Sequence, residues 1–331
     1  MNSQREDKSL AFLMPLALLL LLVGGLGLSA CRPSATSRRE FRVVGYATAW
    51  SGRTREIPFE HLTHIHYAFL LPHPRGDGSL LPIQNPDKLK NLVAAAREHD
   101  VKVLIAVGGW NGGNDLGFET LAARPETIRA FAKNLTAFCD QYGLNGVDID
   151  WEYPDPGESA RNYAAMMGVL AEEMRSRGRL LTAAVIGRGP VAEGVPDEVF
   201  GYVDYIGIMA YDGGEGPEHS PYEYAVEALD YWLGRGLPPE KAVLGIPFYG
   251  RPKWLEYRVL LSLDPDAPYK NMVIADGVPV YYNGIPTVQA KTRLALERAG
   301  GVMVWELAQD SPGEPSLLRA IHQMIQEYEG K

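Results

Sequence analysis

The chain has 331 residues, 46% hydrophobic and 22% charged, with Lys+Arg 32 against Asp+Glu 41 for a net charge of −9. Such a composition can bury a large core, which excludes a disordered chain, and its acidic balance excludes the basic footprint of a nucleic-acid binder. Two cysteines exclude a disulfide scaffold and a multi-cysteine zinc module.

The first 31 residues stand apart. Arg5 and Lys8 precede an apolar run over residues 10–30, which ends in Leu28-Ser29-Ala30-Cys31. A charged start, an apolar middle and small residues before a cut describe a secretory signal. The run is also about long enough to span a bilayer, so an uncleaved anchor is the alternative. Both readings put the remainder outside the cytoplasm. Leu28-Ser29-Ala30-Cys31 resembles the lipobox of bacterial lipoproteins. That implies a signal peptide over 1–30, lipid on Cys31 and membrane attachment at the cell surface or in the periplasm. Residues 31–40 are polar and read as a tether, leaving 41–331 as one catalytic domain.

From residue 41 onward, strand-like runs alternate with helical patterns. The strands are expected at 42–48, 64–70, 102–107, 146–151, 180–185, 202–210, 242–248 and 301–305. The clearer helices are expected at 86–99, 125–142, 159–177, 222–235, 287–298 and 316–328. Pro86, Pro125 and Pro315 sit at or beside helix starts, where a missing N–H costs little. Eight strand-helix units in about 290 residues fit an α/β fold closed as a (β/α)8 barrel. Residues 186–201 lack the periodicity of a long helix. Residues 252–285 form an insertion between strand seven and its helix, with Asp276-Gly277 as a two-residue hairpin turn. Cys139 lies on a helical face with Phe131, Leu135 and Phe138 and reads as core.

The decisive stretch is Asn145-Gly146-Val147-Asp148-Ile149-Asp150-Trp151-Glu152-Tyr153-Pro154. On a strand, side chains alternate faces. Asp148, Asp150 and Glu152 therefore share one face, about 6–7 Å apart per two residues, and Val147, Ile149 and Trp151 share the other. In a barrel the acids point inward. Their repulsion requires at least one of them to hold a proton at neutral pH. Burying such a row costs several kcal/mol, which a purely structural role does not explain.

This segment resembles the DGxDxDxE signature of glycoside hydrolase family 18, the chitinases and their relatives. Lys102–Trp110 (KVLIAVGGW), Tyr205–Asp212 (YIGIMAYD), Leu244–Arg251 (LGIPFYGR) and Gly301–Asp310 (GVMVWELAQD) resemble that family's third, sixth, seventh and eighth strands. Gly45-Tyr46 and Tyr67-Ala68-Phe69 fit the first two. Three departures stand out. Asn145 replaces the first Asp, Ala106 replaces a Ser, and residues 252–285 are too short for the α+β insertion many members carry. A shallower groove follows.

The resemblance implies a retaining, substrate-assisted hydrolysis of β-1,4-linked N-acetylglucosamine chains through an oxazolinium intermediate. Glu152 would protonate the glycosidic oxygen and then serve as base for water. Asp150 would orient the acetamido group, Asp148 would share a proton with Asp150, and Tyr211 would donate to the acetamido oxygen. Trp305 would floor the −1 sugar and Trp110 would stack at +1. Tyr46, Phe69, Tyr153, Met209, Asp212, Tyr249 and Arg251 would contact substrate. Chitin or its oligomers are the expected partner, bound by a monomer. The alternatives are an endo-β-N-acetylglucosaminidase on N-glycans or peptidoglycan, and a non-catalytic sugar-binding lipoprotein.

His61, His64 and His66 suggest a metal cluster. Strand alternation, however, sets His64 and His66 opposite Phe69, toward the helices. No metal or other cofactor is expected. Asn134-Leu135-Thr136 matches a glycosylation sequon, but it falls within a helical pattern.

Overall fold

The computed structural model describes residues 41–213 and 217–330. The expected signal peptide, the expected tether and Cys31 lie outside the described residues.

Eight parallel strands close into a barrel: β1 (Arg42–Thr48), β2 (His64–Leu70), β3 (Lys102–Gly108), β4 (Gly146–Asp150), β5 (Leu180–Ile186), β6 (Tyr205–Met209), β7 (Ala242–Pro247) and β8 (Gly301–Trp305). Each pairs with its sequence neighbours, and β8 closes onto β1 with Gly301 opposite Arg42. Helices Pro86–Glu98, Pro125–Tyr142, Glu158–Ser176, Tyr222–Gly234, Ile285–Arg298 and Leu317–Glu329 pack outside. Short 3-10 turns replace a helix between β1 and β2 and between β5 and β6. The second of these is the stretch whose sequence lacked helical periodicity.

The acid-bearing strand behaves as its alternation demands. Val147, Ile149 and Trp151 are buried in the core between strands and helices. The Trp151 ring stacks on Phe118 at 5.1 Å. Asp148 and Asp150 point inward and are 1% and 3% exposed. They share the interior with Tyr46, Ala106, Tyr205, Met209, Tyr211 and Met303.

Three differences from the sequence expectation have physical causes. Helix Leu116–Ala122 was not expected; seven residues are too few to display a helical period. Strand β6 begins at Tyr205 rather than 202, because Tyr202 still donates to the Val199 carbonyl in the preceding turn. The third concerns the histidines. The β2–β3 register shifts between Ala68 and Leu70. Past that irregularity Phe69 turns toward the interior aromatics, although strict alternation from His66 would send it outward. His66 thus faces inward, with Nε2 2.8 Å from the Tyr205 hydroxyl, and His64 packs edge-on to the same ring at 5.5 Å. Setting the alternation by Phe69 put both histidines on the wrong face.

The insertion after β7 forms a one-turn helix, Tyr257–Leu260, and the expected hairpin, Met272–Ala275 against Val278–Tyr281. Asp276 (φ 48°) and Gly277 (φ 74°) make its turn, a left-handed pair that an Asp-Gly step adopts readily. A bridge between Arg251 and Tyr281 ties the hairpin to the end of the β7 segment.

Candidate active site

The site lies at the C-terminal ends of the barrel strands, where βα loops carry chemistry in this architecture. The end of β3 must pass close to β4. Gly108 has φ +114°, and a Cβ there would stand 2.1 Å from the Asp150 carbonyl. A Cβ on Gly109 would strike the Phe69 ring at 2.5 Å. Only glycine fits both demands. At the other end of β4, the Asn145 side chain accepts from the Val103 backbone N–H at 2.8 Å. The departure at 145 thus pins β4 to β3, far from Glu152.

Asp148 sits deepest in the row. The Tyr46 hydroxyl donates to its Oδ2 at 2.6 Å and the Thr182 hydroxyl to its Oδ1 at 2.5 Å. His66 Nδ1 lies 3.1 Å from Oδ2, at an oblique angle. Burial raises the Asp148 pKa, but His66 and the hydroxyl donors outweigh burial and hold it below the ordinary carboxylate value. Asp150 goes the opposite way. Burial, then Glu152, then Asp148 push it well above the ordinary value. The two environments therefore pull in opposite directions, Asp148 toward the ionised form and Asp150 toward the protonated one. Glu152 is pushed up to about 7 by burial, with Tyr153's hydrogen bond opposing and Asp212 adding to the rise.

A groove of about 710 Å³ opens above the row. Asp150, Glu152, Tyr211, Tyr46, Phe69, Trp110, Tyr153, Met209, Asp212, Tyr249, Arg251 and Trp305 all line it. Asp148 lies beneath. The half-buried Trp305 ring stacks on Phe69 at 5.6 Å and tilts over Tyr46 at 5.3 Å. Trp110 is 59% exposed, as a sugar platform would be. On the other flank Tyr249 donates to Asp212 at 2.5 Å, His219 Nδ1 lies 3.1 Å from the same carboxyl, and Arg251 stands at 3.7 Å. The loop carrying His219 is fixed from behind. The fully buried Lys291 ammonium donates to Ser220 O and Oγ and to Asn283 Oδ1, at 2.6–2.7 Å.

Two lining tryptophans escaped the sequence reading. Trp50 is 61% exposed and tilts against Phe69 at 6.1 Å. Trp254 is 56% exposed, stacks on Tyr249 at 5.0 Å and has the Arg251 guanidinium 3.8 Å from its ring centre. Both follow strand ends, and a tryptophan in a βα loop was the available signal. Among the described residues no cluster of three or more metal-ligating side chains occurs.

A closed parallel barrel with a row of buried carboxyls under an aromatic groove is the architecture of a barrel glycosidase. Residues 42–310 match the model of glycosyl hydrolases family 18, and the chain belongs to that family. It is similar to an endochitinase of Manduca sexta, at 31% identity over 268 residues, covering 68% of this chain and 48% of that protein. A chitinase from the chitin utilization locus of Flavobacterium johnsoniae shares the fold with a TM-score of 0.76 and 30% identity, covering 88% of this chain and 95% of that one. A Bacteroides thetaiotaomicron chitinase shares it with a TM-score of 0.77 at 27% identity, covering 88% and 98%. The chain spans less than half the length of the Manduca protein.

Proposed function

We propose that this protein hydrolyses β-1,4-linked N-acetylglucosamine polymers and oligomers, with retention and with the substrate's acetamide as nucleophile. The observation that carries the reading is the inward row Asp148–Asp150–Glu152. Its last member holds a proton up to about pH 7 at the floor of an aromatic groove. The names of the similar chitinases support the same substrate class.

In this reading Glu152 gives its proton to the glycosidic oxygen as the C1–O bond breaks. The acetamido carbonyl oxygen bonds to C1, forming the oxazolinium ring and keeping the second carboxyl out of covalent chemistry. Asp150 orients the acetamide. Its buried Oδ1 has no hydrogen-bond partner among the described residues and can accept the acetamido N–H. Tyr211, beside Met303, donates to the acetamido oxygen. Water then attacks C1, the bond from C1 to the acetamido oxygen breaks and restores the acetamide, and Glu152 takes the water's proton. Trp305 floors the −1 sugar, and Trp110 and Trp50 offer exposed faces in the same groove. The intact acids argue against a purely sugar-binding role.

We further propose that residues 1–30 direct export and that lipid on Cys31 holds the barrel at a membrane, outside the cytoplasm. The full chain, incubated with chitooligosaccharides and separately with N-glycans, should release shorter chitooligosaccharides identified by mass. Release from N-glycans alone would overturn the substrate. A clickable fatty acid should label the wild-type chain and not Cys31→Ser; equal labelling would refute the anchor.

A further inference from the structure

We propose that His66 is a positioning residue for the acid row: it holds Asp148 ionised and thereby keeps the shared proton on Asp150. The inference rests on the reading of that row as the catalytic machinery. It is carried by geometry. His66 stands inside the barrel, 2% exposed, with Nδ1 3.1 Å from Asp148 Oδ2 and Nε2 2.8 Å from the Tyr205 hydroxyl. An ionised carboxylate only accepts, so the favourable arrangement puts a hydrogen on Nδ1. The Tyr205 ring lies nearly parallel to the imidazole, at 18° and 6.0 Å, and limits its rotation. The titratable groups facing His66 are Tyr46 from β1, Asp148 from β4 and Tyr205 from β6. His64 lies two residues away on its own strand, and Arg42 reaches over the Tyr205 ring at 5.2 Å.

The straight hydrogen bonds to Asp148 come from the hydroxyls of Tyr46 and Thr182, and the His66 N–H approaches it obliquely beside them. The residue paired with it on β3 is Ala106, which has no hydrogen to donate from its side chain. A buried carboxylate stripped of one donor draws protons more strongly. Without His66, Asp148 would compete with Asp150 for the proton they share. The row would then lose the difference in charge between Asp148 and Asp150.

Three replacements in the full chain test this. His66→Leu removes the donor. His66→Asn keeps an amide N–H near the Nδ1 position, facing Asp148. His66→Gln places its amide near Nε2, toward Tyr205. Asp148 must be ionised for activity, and losing a donor raises its pKa, so the acidic limb of the kcat profile should move to higher pH. We expect a move of about one pH unit in His66→Leu and His66→Gln, with KM within about twofold, and a near-wild-type profile in His66→Asn. Carboxyl-carbon NMR of labelled aspartates, with Asp148 assigned through Asp148→Asn, reads the same proton without substrate. Its midpoint should rise in the same two variants. Should His66→Leu fail to fold, His66→Gln carries the comparison. An unmoved Asp148 midpoint, with only a lowered Tm, would make His66 a packing residue and overturn the inference. A wild-type chain inert on chitooligosaccharides would sink the catalytic reading instead, while the NMR midpoint still decides whether His66 holds Asp148.

Discussion

Glu152→Gln should lower activity and raise stability at once. The replacement keeps the shape and removes the proton. One residue serves as acid and then base in the proposed chemistry, so kcat should fall by about 10²–10⁴-fold. The stability effect follows from the raised pKa. Burial carries Glu152 from its ordinary 4.5 up to about 7. A carboxyl raised on folding leaves the native state favoured while protonated and weakens it as pH climbs from the unfolded value through the folded one. At about 1.4 kcal/mol per pH unit, the whole gap is worth about 3 kcal/mol, and solvent at the groove-facing edge reduces that to about 2. Glutamine never ionises. The variant should therefore be about 2 kcal/mol more stable than wild type at about pH 8 and nearly equal to it at about pH 4. Denaturant melts at the two pH values measure this, and initial rates on a chitooligosaccharide measure the first effect. A variant within tenfold of wild-type kcat would refute the acid–base role. Parallel stability curves across pH would refute the raised pKa.

Four further outcomes are expected. Glu152 must arrive protonated, so kcat/KM should fall as pH rises through about 7; a flat profile to pH 9 would contradict this. Trp305→Ala removes two aromatic contacts, worth about 1–3 kcal/mol of stability together. It should also lower kcat/KM on chitooligosaccharides, and a folded variant with wild-type kcat/KM would show that Trp305 only packs. A substrate with a free 2-amino group at −1 should bind without being cleaved there, a thiazoline analogue should inhibit competitively, and proton NMR of the first product should show the β-anomer. Initial α-anomer would overturn the mechanism even with the fold intact. Lys291→Met should destabilise the protein by about 3 kcal/mol, because it leaves the buried oxygens of Ser220 and Asn283 short of a donor; an unchanged melt would show that the network is dispensable.

The barrel was legible because parallel strands buried on both faces read as dense apolar runs separated by helical periods. β1, β2 and β8 begin and end where the sequence puts them. The acid row was legible for a related reason: three carboxyls at period two can only face one way. What failed was the phase of β2, because a register shift at Ala68/Leu70 leaves no mark in a run of His-Ile-His-Tyr-Ala-Phe-Leu. Trp50 and Trp254 were missed because loops have no period from which to infer a direction. The proton's place in the Asp148–Asp150 pair was also out of reach. It depends on Tyr46, Thr182 and His66, which come from three other strands.

Strand β4 has a mechanical side. Asp148 is held between Ala106 on β3 and Thr182 on β5 by backbone pairing, so the spacing of the acids is set by the peptide repeat. One residue inserted between Gly146 and Asp150 would reverse every side chain beyond it. Carboxyls beyond the insertion would be driven under the helices, and Ile149 or Trp151 would be turned into the barrel. The hairpin at Asp276-Gly277, open to solvent, faces no comparable rule. The chain can take an extra residue at such an exposed turn, yet cannot gain one where it holds its protons.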